Sequence, residues 1–123
     1  MIYLKNGHSI TIGNAGALAS RTHVSYADVS GATLDGSSAI VSSSSATYDV
    51  AAYAAAGTRN VRLVTVTNDG ALAGLFTISH NTGAVTAPIG KALLQPGQVL
   101  VYSENGGVQV SSAESSTLAT LTL

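Results

Sequence analysis

Turn-forming residues recur about every eight to twelve residues along this chain, and the runs between them alternate apolar and polar side chains. Ser30-Gly31, Asp35-Gly36 and Gln95-Pro96-Gly97 are such turns. Residues 51–56 are too few to form a helix alone, and we expect them to be irregular. The pattern predicts an all-β chain with residues 1–123 as one domain. The expected architecture is an antiparallel β-sandwich, or a jelly-roll-like barrel, of about eight to ten strands.

Asn105-Gly106 predicts the most sharply defined hairpin, because it separates two alternating runs, residues 99–103 and 108–112. Asn-Gly favours a two-residue type I′ turn, in which both central residues have positive φ. With a two-residue loop, Val101 faces Val110 across the hairpin. The face that this register would bury consists of Val99, Val101, Val108 and Val110.

Asn6-Gly7 predicts a second hairpin, between residues 1–5 and residues 9–12. Its register would place Tyr3 opposite Ile10. The first of these runs is apolar on both faces, so we expect both faces to be covered.

Residues 61–67 are the strongest single strand in the sequence. Val61 and Leu63 would point to one face, and Val64 and Val66 to the other. Such a strand is either central in its sheet or interrupted by a bulge.

The composition predicts an aliphatic core and a surface that other proteins cover. Hydrophobic residues make up 46% of the chain, which has no Trp and one Phe, so Val, Leu, Ile and Ala must build the core. Charged residues make up 9%, against about 25% in ordinary soluble domains. A free monomer normally carries more charge to stay apart from its neighbours.

Charge and sequence pattern also exclude several classes of function. A formal net charge of −1 does not support strong electrostatic binding of nucleic acid or of an anionic membrane. The absence of cysteine excludes disulfides and thiolate chemistry. The pattern predicts no signal peptide and no membrane-spanning run, and therefore synthesis in a cytoplasm.

No motif for catalysis, metal binding or cofactor binding is present in the sequence. The three histidines, His8, His23 and His80, lack the spacing of common metal sites. No serine lies in a G-x-S-x-G motif, and neither a P-loop nor a G-x-G-x-x-G motif occurs. We therefore expect no enzymatic activity, no metal and no cofactor.

Arg59 and Arg62 are the only clustered cations, and two interpretations of them remain open. They either form a solvated strand end that blunts a sheet edge, or dock a carboxylate patch on a partner. The five tyrosines similarly either form a stacking platform for sugars or pack at sheet margins and subunit contacts. The tyrosines are Tyr3, Tyr26, Tyr48, Tyr53 and Tyr102.

Five stretches of the chain carry a resemblance when they are taken together. They begin with Tyr3-Leu4-Lys5-Asn6 and continue with residues 22–28, the Ser/Thr/Ala-rich middle, residues 59–68 and residues 93–102. In that order they resemble small β-rich virion proteins of tailed bacteriophages. The resemblance covers roughly residues 2–112. It implies a β-sandwich that assembles onto other virion proteins, and it supplies no catalytic residues.

The resemblance and the composition together predict a capsid cement or decoration protein that stabilises the head by binding the major capsid protein. A neck or tail adaptor and a receptor- or glycan-binding knob are the alternatives. We expect a homo-oligomer located in the virion, with residues 1–5 and 117–123 as arms between subunits. The partner-binding residues predicted on this basis are Ile2, Tyr3, Leu4, Arg59, Arg62, Leu121 and Leu123.

Overall fold

A computed structural model describes residues 2–105 and 107–112 of the chain. Over these residues the chain folds into two antiparallel sheets that share one hydrophobic core, which confirms the predicted β-sandwich. The strands in chain order are β1 (Ile2–Leu4), β2 (His8–Asn14), β3 (Ser20–Ser30), β4 (Thr33–Ser43), β5 (Thr47–Tyr53), β6 (Thr58–Asn68), β7 (Gly74–Asn81), β8 (Thr86–Leu94), β9 (Gln98–Ser103) and β10 (Gly107–Ser112).

The larger sheet has the strand order β10-β9-β6-β3-β4, and the smaller sheet has the order β5-β2-β7-β8. Strand β6 is central, as predicted. One side of it pairs with β3 along nearly its whole length. The other side pairs first with β1 and then with β9, so these two strands lie end to end.

Strand β6 also contains the bulge that its sequence pattern allowed. Ser25 pairs with Leu63 while Tyr26 pairs with Val61, which leaves Arg62 as the extra residue. The bulge resets the alternation of side chains, and Val61, Val64 and Val66 all reach the core.

The core is mainly aliphatic, as the composition predicted, and its aromatic members are Phe76, Tyr53 and Tyr102. Its fully buried side chains come from both sheets and include Phe76 and Ile78 of β7. The other large ones are Leu4, Ile10, Ile12, Val24, Val50, Val61, Val64, Val66, Leu94 and Leu100.

The prediction of a hairpin at Asn6-Gly7 was wrong. Strand β1 pairs with β6 in the larger sheet, whereas β2 pairs with β5 and β7 in the smaller one. A turn does form, because the His8 N–H donates to the Lys5 carbonyl at 2.9 Å. However, only Gly7 has a positive φ, 85°, as in a type II turn rather than a type I′ hairpin turn. The turn therefore carries the chain from one sheet to the other.

The predicted register of the last hairpin was wrong by one residue. Val110 pairs with Leu100 instead of Val101, and Val108 pairs with Tyr102. Pairing with β6 decides this outcome, because Leu100 and Tyr102 lie opposite the core residues Val66 and Val64. Leu100 and Tyr102 are therefore buried, and the face formed by Val99 and Val101 is only partly covered. Gly106, which was predicted to have a positive φ in this turn, lies outside the described residues.

Two local assignments in the middle of the chain also need correction. The turn after Ser30 forms, since Ser30 pairs with Thr33, but Asp35-Gly36 is not a turn. It lies inside β4, opposite Ala27 and Asp28 of β3. The predicted irregular segment at residues 51–56 is irregular only after Tyr53, because its first three residues belong to β5.

Two buried asparagines hold the loops at one end of the sandwich. The Asn68 side-chain amide donates to the carbonyls of Leu72 at 2.9 Å and Leu94 at 3.0 Å. Its oxygen accepts from the Gly70 N–H at 2.9 Å. Asn14 is bonded in the same manner to both backbone groups of Leu18. Hydrogen bonding to loop backbone thus satisfies both buried amides.

Candidate functional site

Arg59, a predicted partner-binding residue, lies at the other end of the sandwich near the start of β6. It pairs across the sheet with Asp28 of β3. Its Nε donates to Asp28 Oδ1 at 2.7 Å and its Nη2 donates to Oδ2 at 2.9 Å. The two side chains are 15% and 28% exposed, so this bidentate pair is largely shielded from solvent.

The same guanidinium reaches the second sheet. Its Nη1 donates to the carbonyls of Ala51 at 3.2 Å and Ala52 at 3.1 Å, in β5. Strand β5 has a bulge here. His8 and Ile10 of β2 are two positions apart, but their partners in β5, Tyr53 and Val50, are three positions apart. Ala51 has a positive φ of 57°, a conformation that usually requires glycine. Arg59 therefore joins the two sheets and supports a strained backbone segment.

Two aromatic rings complete the environment of Arg59. The guanidinium carbon lies 3.9 Å from the ring centre of Tyr26 and 5.1 Å from that of Tyr53. Hydrogen bonding to Asp28 raises the pKa of Arg59 above its ordinary value, and burial opposes this rise. Four of the five N–H donors are bonded within the chain. Arg59 thus stabilises the fold itself, whereas its neighbour Arg62 is exposed.

The other predicted partner-binding residues fall into three groups. Ile2 and Leu4 are 7% and 0% exposed, with their side chains in the chain's own core. Tyr3, between them, is 54% exposed on the outer face of the larger sheet. Leu121 and Leu123 lie outside the described residues.

Tyr3 is also the only tyrosine with a largely exposed side chain. Tyr26 and Tyr53 face Arg59. The Tyr48 hydroxyl is hydrogen-bonded to Ser20 and Thr22, each at 2.8 Å. Tyr102 is buried, and this burial raises the pKa of its hydroxyl. The tyrosines therefore pack at sheet margins and in the core, and do not form a shared stacking platform.

An open cleft of about 590 Å³ lies at the Arg59 end of the sandwich. Its walls are Lys5, Asn6 and His8 around the β1–β2 turn, residues 56–58 before and at the start of β6, and Val29 of β3. A side chain at position 57 would collide with the Val29 carbonyl, because a Cβ there would lie 2.0 Å from its oxygen. Gly57 thus allows the β5–β6 loop to pack closely against β3.

His8, at the rim of this cleft, forms a pair with His80 that sequence spacing did not reveal. His8 Nδ1 lies 3.1 Å from His80 Nε2, and the ring centres are 5.1 Å apart with the planes tilted by 60°. Burial, and secondarily the charge on His8, lower the pKa of His80. The two residues are 72 positions apart in sequence, and only the pairing of β2 with β7 brings them together.

Strand β4 is the most exposed part of the larger sheet. It has eleven residues. Among residues 2–105 and 107–112 it pairs only with β3, so it forms one edge of the described sheet. Leu34 and Ile40 on it are 65% and 68% exposed. Asp35 is its single charged residue, and it contains neither Lys nor Pro. It therefore lacks the charges and proline that usually protect such an edge.

The described residues 2–105 and 107–112 contain neither a membrane-spanning helix nor a cluster of three or more His, Cys, Asp or Glu side chains suited to a metal ion. No protein-family model, curated protein or solved structure matches this chain.

Proposed function

We propose that this chain is a structural, non-enzymatic protein of a tailed-bacteriophage virion, with a capsid cement or decoration protein as the favoured role. The class of protein comes from the sequence resemblance of the five stretches described above. In this role the chain binds the major capsid protein or other virion proteins and stabilises the head. It does so as a homo-oligomer, without nucleic acid or membrane.

The exposed edge of β4 is the observation that carries an assembly role. The side of β4 that faces away from β3 has no neighbouring strand among the described residues, so it can add a further strand. The side chains of β4 oppose that addition with only one charge, Asp35. A chain with 9% charged residues also loses little charge solvation when its surface is covered. Both properties suit a protein that functions in contact with other proteins.

The terminal arms remain part of this proposal in modified form. Ile2 and Leu4 contribute to the internal core, so Tyr3 is the residue of the first strand available to a neighbour. The segment at residues 117–123 lies outside the described residues. We retain it as a strand donor to a neighbouring subunit because its sequence is uncharged and alternates.

The two alternative roles differ from the cement role in the surface that they require or in the number of copies per particle. A glycan-binding knob would need exposed aromatic rings, and only Tyr3 among the five tyrosines is more than half exposed. A neck or tail adaptor would share every surface property described above. Its copy number would differ, because portal-associated rings contain few subunits and shells contain many.

Quantitative mass spectrometry of purified particles tests the location. A cement protein requires on the order of hundreds of copies per particle, whereas a neck or tail ring requires about six to twelve. Absence of the protein from purified particles would refute the virion role.

A second experiment tests the edge of β4. Ser38→Lys combined with Ile40→Lys places two charges on this edge, which should block strand addition without unfolding the exposed strand. Leu72→Lys is the matched control, because Leu72 is 69% exposed but lies in the loop between β6 and β7. The double variant should lose most of its binding to undecorated shells, and the control should keep it. Full occupancy by the double variant would show that β4 is not the contact.

A further inference from the structure

The pairing of β2 with β7 places two of the three histidines side by side. Ile10 of β2 lies opposite His80 of β7, and His8 is two residues from Ile10 on the same strand. His8 and His80 are therefore diagonal neighbours on one face of the smaller sheet. Ile10 on that face is fully buried, while both histidines are half-buried at the rim.

The separation of the two ring nitrogens suits a shared metal ion. Imidazole nitrogens bind Zn²⁺ at about 2.0–2.1 Å. Two nitrogens that are 3.1 Å apart can both reach one ion at that distance. The angle at the ion would be about 95–100° by this geometry, between the octahedral and the tetrahedral values.

The contact between the two rings is compatible with metal binding. In the metal-free chain one ring donates its N–H to the other, and the donating nitrogen depends on the tautomer. When both rings are neutral, an ion can replace this bridging proton, which moves to the other nitrogen of the same ring, so neither ring changes its charge. Burial lowers the pKa of His80, which favours the neutral ring that a metal requires.

The surroundings of the pair define the class of ion. His8 opens onto the cleft, which gives an ion and its water ligands access. No cluster of three His, Cys, Asp or Glu side chains occurs in the part of the chain that is described, and we assign the remaining positions to water. Imidazole favours Zn²⁺, Ni²⁺ and Cu²⁺ over the hard cations Ca²⁺ and Mg²⁺. Lys5 also lines the cleft; it is exposed, so solvent screens its repulsion of the ion.

We propose that His8 and His80 together form a two-imidazole binding site for a divalent transition-metal ion of the Zn²⁺ and Ni²⁺ class, with water as the remaining ligands. The site joins the beginning of β2 to the end of β7. It is independent of the proposed virion role and can be tested on the isolated protein.

Calorimetric titration of the chelator-stripped chain with ZnCl₂ and with NiCl₂ at pH 7.5 is the direct test. We expect one ion per chain, and at least a tenfold weaker affinity at pH 5.5 because protons compete for the imidazoles. CaCl₂ and MgCl₂ should give no binding. His8→Ala and His80→Ala should each weaken binding at least tenfold. His23→Ala should not, because His23 lies on β3 in the other sheet.

Paramagnetic line broadening by Ni²⁺ in the NMR spectrum of the unaltered chain gives a readout that does not depend on how the variants fold. Amide signals near His8 and His80 should broaden first, and those around His23 should be unaffected at one equivalent. No binding of either ion at millimolar concentration, or broadening centred elsewhere, would overturn the proposal. Equal loss of affinity in His23→Ala and His8→Ala would also overturn it.

Discussion

Replacing Arg59 with alanine removes the contacts that join the two sheets at the cleft end of the molecule. The substitution eliminates two charge-assisted hydrogen bonds to Asp28, two hydrogen bonds to β5 carbonyls and the stacking on Tyr26. It also leaves the Asp28 carboxylate without its partner in a largely shielded position. Hydrogen bonds to charged groups contribute about 1.5–3 kcal/mol each when buried, and they do not add fully. Because the pair is partly exposed, we expect a net loss of about 2–4 kcal/mol.

Thermal and urea unfolding, followed by circular dichroism, measure this loss. For a domain of this size it corresponds to a decrease in Tm of roughly 6–16 °C. Arg62→Ala is the matched control on the same strand, since Arg62 is exposed. Its free energy of unfolding should stay within about 0.5 kcal/mol of the parent.

The comparison separates a structural arginine from a docking arginine. If Arg59→Ala unfolds like the parent, the contacts to Asp28 and β5 contribute nothing to stability, and a role for Arg59 in partner binding would regain support. A decrease of equal size in both variants would indicate a general charge effect instead. Asp28→Asn combined with Arg59→Ala closes a double-mutant cycle that measures the coupling of the pair directly.

Three further predictions follow from single residues. The pKa of His80 is lower in the folded chain than its ordinary value of 6.5, so the fold favours the neutral ring. The stability that this ring contributes is therefore complete above pH 6.5, and it is lost as the pH falls through the pKa of the folded state. The free energy of urea unfolding should therefore change less between pH 7 and pH 5 in His80→Gln than in the parent. In His23→Gln it should change as much as in the parent. Ala51→Gly should raise the free energy of urea unfolding by about 0.5–1 kcal/mol, because glycine adopts the positive φ without strain; a loss of stability would contradict this. Asn68→Ala should lower Tm, at a cost of about 2–4 kcal/mol, because it removes three hydrogen bonds, one of them the buried bond to the Leu94 carbonyl; a cost below about 0.5 kcal/mol would show that water replaces the amide.

Several features of this molecule could be predicted from local sequence. The alternation in residues 61–67 indicated a central or bulged strand, and β6 is both. The low aromatic content predicted an aliphatic core, which the structure has. These features depend on neighbouring residues or on total composition, so no knowledge of distant contacts was required.

The histidine pair and the arginine contacts could not be predicted in this manner. His8 and His80 are neighbours only because β2 pairs with β7. Arg59 in isolation resembles a solvated strand end. Its bonds to Asp28 and Ala51 depend on two other strands, one of them in the opposite sheet. Neither arrangement leaves a spacing or composition signal in the chain.

The sequence by itself determined the all-β class, because side-chain alternation and turn residues act within a few positions of one another. Only the tertiary structure decided which strands are neighbours and in which register they pair. Asn6-Gly7 produced a turn but not a hairpin, because Ile2 and Leu4 are buried best against β6 rather than beside β2. The last hairpin is shifted by one residue because β6 places Leu100 and Tyr102 toward the core. A turn dipeptide controls only its own dihedral angles, whereas the register of a strand depends on the apolar area that the whole sheet buries.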